Sequence, residues 1–269
     1  MAQLTDPNAL NLHRARARKA PVDFLQIAAA DEVQERLLEV NRPFTTPAVV
    51  SGWPEIWVDR IDGPKVADDD VLALDQSAHD LVIHALSLHW ANDIVGQLVQ
   101  CRRALKPDGL FIGTMFGGQT LHELRSALAE AEVQLTGGLS PRIAPMGEVR
   151  DLGGLLQRAG FALPVADMTP LTVSYETPLH LMRELRLMGE GNALTTRRKA
   201  FTSKALFMKA AEIYTDTFGA NGRVPATFEI VTLTGWAPSS DQPQPLRPGS
   251  AQTRLADALK TAEQKLSRS

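Results

Sequence analysis

The run from Asp80 to Leu86, DLVIHAL, is apolar at almost every position. It constrains the fold more than any other stretch. A strand buried on both faces reads this way, because both of its side-chain sets must leave water. Asn92 or Asp93 can cap the helix that follows. Ile94, Val95, Leu98, Val99 and Leu105 give that helix one apolar stripe. Lys106-Pro107-Asp108-Gly109 has turn chemistry, and Leu110 to Thr114 reads as the next strand. Gly117-Gly118-Gln119-Thr120 then leads into a second helix. Its N-terminus suits either an anion or a plain strand-to-helix connection. Thr120 and Glu123 have capping-box spacing, and Leu121, Leu124, Leu128 and Leu135 are expected to face the core. Strand and helix alternate, which implies a parallel sheet with crossover connections.

Elements on either side extend this pattern. Phe24, Ile27, Ala28, Val33, Leu37 and Leu38 recur at helical spacing across residues 22–40. A helix over about 148–159 should stop at Gly160. Leu171, Val173 and Tyr175 alternate with polar residues as a strand does. Thr177-Pro178 opens a helix as cap and first-turn proline, with Leu179, Met182, Leu185 and Met188 inward. Another helix is expected over about 204–218, then a strand from Thr227 to Trp236. After Pro238 the Pro- and Ser-rich stretch reads as a linker, followed by a small amphipathic helix over 251–267. The expected organisation is an N-terminal helical segment over 1–43, a main domain over 44–238 with a helical insert at about 177–218, and a tail over 239–269.

Composition excludes some classes. Net charge is −3, so the whole chain carries no footprint for nucleic acid. The single cysteine, Cys101, rules out an internal disulfide and argues against a thiolate zinc site. His79, His84 and His89 are five apart, so on a regular strand they alternate faces and do not converge on one metal. No metal site is expected. No apolar run reaches bilayer length, and the start lacks a secretory core. These features fit a cytoplasmic location. The basic start, HRARARKA over 13–20, reads as a solvated helix face or as an arm for an acidic partner or a membrane surface.

Several stretches carry a resemblance. DLVIHALSLHWANDI, ALKPDGLFIGTMFGGQTLHELR, PMGEVRDLGGLLQRAGF and ATFEIVTLTGWAP are similar to the later strands and helices of the class I methyltransferases, the fold that binds S-adenosylmethionine. SLHWANDIVG, GGQTLHELR, TGGLSPRIAP, LMRELRLMGEGNAL and PLRPGS, in that order, more narrowly resemble the methyltransferase-like assembly factors of respiratory complex I and their alphaproteobacterial relatives. The resemblance spans about residues 67–260. It implies an α/β Rossmann-like sandwich, mostly parallel with an antiparallel last strand. It also implies a protein partner, a complex I subunit, modified at an arginine.

In this fold a strand, a glycine-rich turn and a helix grip the cofactor, because glycine lets backbone approach ligand and the helix N-terminus points N–H groups at it. Here the matching stretch is PAVVSGWPEIWVDRID, from Pro47 to Asp62, with one glycine, Gly52. From Ala48 to Asp68 there are 21 residues. A parallel crossover alone takes roughly 10–12, and two strands of about five each take the remainder. The first βαβ unit is therefore expected to be truncated. Asp59 is the available stand-in for the acid that holds the ribose, though it follows Gly52 by only seven residues. By the resemblance, Asp68 or Asp69 meets the adenine, and Leu88 and Trp90 end the strand beside it.

His89, at the carboxyl edge of that strand, is the candidate general base or positioning group. His122 is its expected neighbour. Arg183, Arg186, Glu190 and Asn192 belong to the insert that would cover the cleft and select the partner, with Glu190 suited to a bidentate contact with an arginine. Two functions remain open at this point. One is a pseudoenzyme that grips a protein partner. The other is an active S-adenosylmethionine-dependent or arginine-modifying enzyme.

Overall fold

The apolar run at Asp80 lies in the interior of one sheet. A computed structural model of the chain describes residues 3–240 and 242. Two compact units divide the chain, Met1–Pro238 and Ser239–Ser269. The helix expected over 251–267 and the PLRPGS stretch lie outside the described residues. In the first unit six strands, β1 (Pro47–Ser51), β2 (Lys65–Val66), β3 (His79–Ala85), β4 (Leu105–Phe116), β5 (Ala162–Tyr175) and β6 (Val224–Trp236), form one sheet in the order β2-β1-β3-β4-β6-β5. β1 to β4 run parallel, and β6 is antiparallel to both of its neighbours. This is the mixed sheet of the class I methyltransferase fold.

Its first unit is short, as the residue count requires. Between β1 and β2 stands only a single 3-10 turn, Pro54–Trp57. The sheet face that a crossover helix would cover is closed by other means. Trp57 is 1% exposed and packs with Ala30 and Val33 of α2 (Phe24–Val40) against Val49, Leu81 and Ile83. On the opposite face, α3 (Ile94–Ala104) and α5 (Val149–Arg158) bury Leu98, Cys101, Leu152 and Leu156 against Val50, Val82 and Phe111. α4 (His122–Thr136), α6 (Pro178–Leu187) and α7 (Lys204–Phe218) enclose a third cluster around Leu124, Leu128, Leu185, Tyr214 and Phe228.

Several local expectations hold. Asp93 Oδ1 accepts from Gly96 N at 2.8 Å, and Thr177 Oγ1 accepts from His180 N at 3.1 Å, each closing a helix start. Others do not. There is no capping box at α4: Thr120 N–H and Oγ1 turn to Gly117 and Glu229, and the Glu123 carboxylate accepts from Thr227 Oγ1 at 2.6 Å. The demand of β6 for a partner outweighs the local cap. Lys106–Gly109 is not a free turn but part of β4, which absorbs Asp108 at a φ of 61°. Ile27, Leu38, Leu135 and Leu179 are exposed, whereas α2 buries Leu25, Ala29, Ala30 and Val33. In short helices with two adjacent apolar positions, the pattern alone does not say which one turns inward.

Candidate functional site

The turn after β1 is closed by a side chain from far upstream. α1 (Pro7–Ala17) starts at Asp6, whose carboxylate accepts from Ala9 N, and it buries Ala9, Leu10, Arg14 and Ala17. Arg14 reaches Asp68 as a bidentate pair, Nη1 to Oδ1 at 2.7 Å and Nη2 to Oδ2 at 2.9 Å. The two side chains are 5% and 9% exposed. Burial alone would raise the Asp68 pKa, but the charge and hydrogen bonds of Arg14 outweigh it and hold the carboxyl below its usual range. The same guanidinium lies against Gly52, where any Cβ would collide with it. The missing Cβ leaves that space to the chain's own arginine. Arg18 Nη2 donates to Gly52 O at 2.5 Å, and its guanidinium sits over the buried Trp53 ring at 5.3 Å.

Asp69 is exposed and contributes its backbone carbonyl, which accepts from Gln97 Nε2 at 3.0 Å. Gln97 Oε1 therefore faces His84 Nε2, at 2.6 Å, and Ser87 Oγ stands 3.3 Å from Nδ1. This assigns the ring proton to Nε2 and leaves Nδ1 as acceptor. Burial pushes the His84 pKa down to about 4, so the ring is neutral. Asp59 is exposed, lines neither of the two cavities described here and has no hydrogen bond or ion pair among the described residues. Leu88 is fully buried in the core beside Phe111.

The chain leaves β3 through Leu86, at a φ of 37°, and a short 3-10 turn, Leu88–Trp90. That turn brings His89 and Trp90 to one carboxylate. Glu190 Oε2 accepts from Trp90 Nε1 at 2.8 Å and lies 3.2 Å from His89 Nε2. Glu190 owes its position to Gly189, at a φ of 79°, which ends α6 and lets Glu190 N–H bond Leu185 O at 2.9 Å. The His89 side chain is 0% exposed, packs on Phe116 at 4.7 Å, and its Nδ1 has no partner among the described residues. It reaches the cleft only through Glu190, so it can position a group but not touch a ligand. His122 is not brought to it: that ring lies beside Glu123 and edge-on to Phe218.

Two cavities meet at Trp90. One, of about 340 Å3, is lined by Leu10, Arg14, Asp68, Asp69 and Gln97. The other, of about 560 Å3, has an apolar wall including Phe116, Leu124, Leu128, Met182 and Phe228, with Arg183, Arg186, Glu190 and Asn192 among its polar lining. Asn192 is occupied at both ends, donating to Pro141 O and accepting from Leu194 N. The β1 turn is occupied by the chain itself. The space against Gly52 holds Arg14, the Asp68 carboxylate is paired, and no α-helix N-terminus follows the turn.

Sequence reasoning missed Arg14. Its signal was present: Leu10, Arg14 and Ala17 lie on one helical face inside a run that otherwise reads as solvated.

No family model matches the chain. A Danio rerio protein named arginine-hydroxylase NDUFAF5, mitochondrial, is 43% identical over 196 residues, covering 72% of this chain and 61% of that protein. A Rickettsia prowazekii protein named as a methyltransferase, RP459, is 32% identical over 191 residues, covering 70% and 84%. The chain spans 45–61% of the length of the NDUFAF5 relatives it matches. A solved Bacillus halodurans protein named as a methyltransferase superposes with a TM-score of 0.47 at 13% identity, covering 76% of this chain and 98% of that one.

Proposed function

The chain belongs to the methyltransferase family that includes these relatives, and from that premise we propose that it is a protein-binding assembly factor with a degenerate S-adenosylmethionine site. By resemblance, its partner is a subunit of a respiratory complex I under assembly. The Arg14–Asp68 pair carries this reading. An internal guanidinium takes the carboxylate and the glycine surface that a nucleoside cofactor would use, and a buried bidentate pair of this kind is costly to break. The shortened first unit supports it further, because no helix remains there to point N–H groups at a ligand. No helix among the described residues is long and apolar enough to cross a membrane. A cytoplasmic location, with peripheral membrane contact through Arg16 and Lys19, the exposed cations of the basic start that are not engaged at the β1 turn, completes the proposal.

One observation favours arginine modification of a protein partner as a second reading. Glu190 is a largely buried carboxylate, 9% exposed, fixed on one oxygen by Trp90 and His89. Such a group can receive a guanidinium.

Titration calorimetry with S-adenosylmethionine decides between a degenerate and a working site. The expected result is no heat of binding up to about 1 mM ligand, an affinity weaker than roughly −4 kcal/mol. Micromolar binding that disappears in Asp68→Ala would refute the degenerate site.

A further inference from the structure

We propose that the cavity beneath α6 binds a single-chain amphiphile with an anionic head group, its hydrocarbon tail in the cavity and its head against Arg183, Arg186 and Arg198. The inference goes beyond the assembly-factor reading and does not depend on it.

The cavity measures about 560 Å3, within the roughly 300–1,000 Å3 of small-molecule sites. Its wall is aliphatic and aromatic, with Leu121, Leu124 and Leu128 from one face of α4 opposed by Met182 and Leu185 of α6. Flexible thioethers such as Met182 adapt to an irregular chain.

The polar groups in the lining divide into two sets. The first is already engaged. Arg142 is bound to Glu132 and Thr202, Arg197 to Asp6, and Thr120 to Glu229, while one Glu190 oxygen holds Trp90 and His89. The second consists of three exposed arginines. Arg183 and Arg186 stand one turn apart on α6, and Arg198 follows on the next loop. None of the three makes a side-chain hydrogen bond or ion pair among the described residues, and all three line the cavity. A peptide drawn inside would bring backbone N–H and C=O groups into a space with few free partners, which is costly. A hydrocarbon tail needs no partners and gains from leaving water. Three free cations at the same cavity then select the sign of the head group.

The test is calorimetry on the full chain with sodium dodecanoate below its micelle concentration. Micromolar binding is expected. Decanoate, two methylenes shorter, should bind about tenfold more weakly. Dodecyltrimethylammonium, with the same tail and the opposite charge, should bind at least tenfold more weakly. Arg183→Gln/Arg186→Gln changes only exposed side chains, so it should keep the wild-type melting temperature while weakening dodecanoate at least tenfold. Absence of dodecanoate binding, equal binding of the cationic amphiphile, indifference to chain length, or unchanged affinity in the double variant would each overturn the proposal. So would tighter binding of a short acidic peptide, which would assign the cavity to a protein segment, or of anionic vesicles, which would assign it to a membrane surface.

Discussion

Replacing Arg14 by methionine removes a cation and keeps most of its apolar length. Asp68 then stays buried, with a side chain only 9% exposed and no counter-charge. Breaking one half of a buried pair costs about 3–5 kcal/mol. A unit of this size loses about 2–4 °C of melting temperature per kcal/mol, so the fall should be on the order of 10 °C at pH 7. Replacing both partners, Arg14→Met/Asp68→Leu, leaves no uncompensated charge and should recover most of the loss. The pH dependence gives a second check. In the wild type the Asp68 pKa lies below the usual 3.8, so the pair stabilises the fold above that pH and the contribution is lost as pH falls through the folded value. In Arg14→Met both contributions of Arg14 are gone, burial is the largest influence left on Asp68, and burial raises its pKa. The variant's deficit should therefore shrink on acidification as the carboxyl takes up a proton. Thermal unfolding by circular dichroism at a series of pH values reads both effects. A single variant within about 2 °C of wild type, or a double variant as unstable as the sum of the singles, would refute the claim that the pair closes the site.

Other substitutions test neighbouring contacts. His84 has a folded pKa of about 4 against an ordinary value of 6.5, so its neutral form stabilises the fold above 6.5. That contribution, about 3 kcal/mol, is lost between 6.5 and 4, and urea titrations of His84→Gln should show a flatter dependence over that window. Tyr214→Phe removes the donor to Pro225 O, a bond of 2.6 Å, and should cost about 1–3 kcal/mol by chemical denaturation because the carbonyl is left without its buried partner. Trp90→Phe removes a hydrogen bond to a carboxylate and should cost about 1.5–3 kcal/mol in the same assay.

Much of the fold was legible because its signals are local. The two-sided burial of Leu81, Val82 and Ile83, the caps at Asp93 and Thr177, and the stop at Gly160 each follow from a few adjacent residues. The truncation could be read as well, since 21 residues cannot hold two strands and a crossover helix. The expected Thr120–Glu123 cap failed because β6, about a hundred residues later, supplied stronger partners for both side chains. At the candidate site, Trp90 and Glu190 were each visible as polar groups at the expected cleft edge, but their bond spans 100 positions. His89 could be singled out by type and place, while its complete burial depends on Phe116 and Trp90 closing around it. Arg14 was the hardest to find, because its partner Asp68 lies 54 residues away and its neighbours Arg16 and Arg18 are indeed exposed.

The truncation and the buried arginine have one physical cause. A sheet edge that loses its crossover helix must be covered again, and α2 and Trp57 cover one face of β1. β2 is only two residues long, and the loop after it carries Asp68 to the guanidinium that lies against Gly52. A carboxylate held in that space needs a cation, and Arg14 provides it from α1. α1 in turn is fastened at both ends, by Asp6 to Arg197 and by Arg18 to Gly52. Gly189 allows the end of α6 to pack on Arg14 and Trp53, since a Cβ there would press on both within 3.2 Å. The closed turn and the Glu190 carboxylate are thus built on one contact. A change that removes the Arg14 side chain, with the Cγ on which Gly189 packs, should also displace Glu190 from Trp90, and the tryptophan fluorescence of Arg14→Ala should report both together.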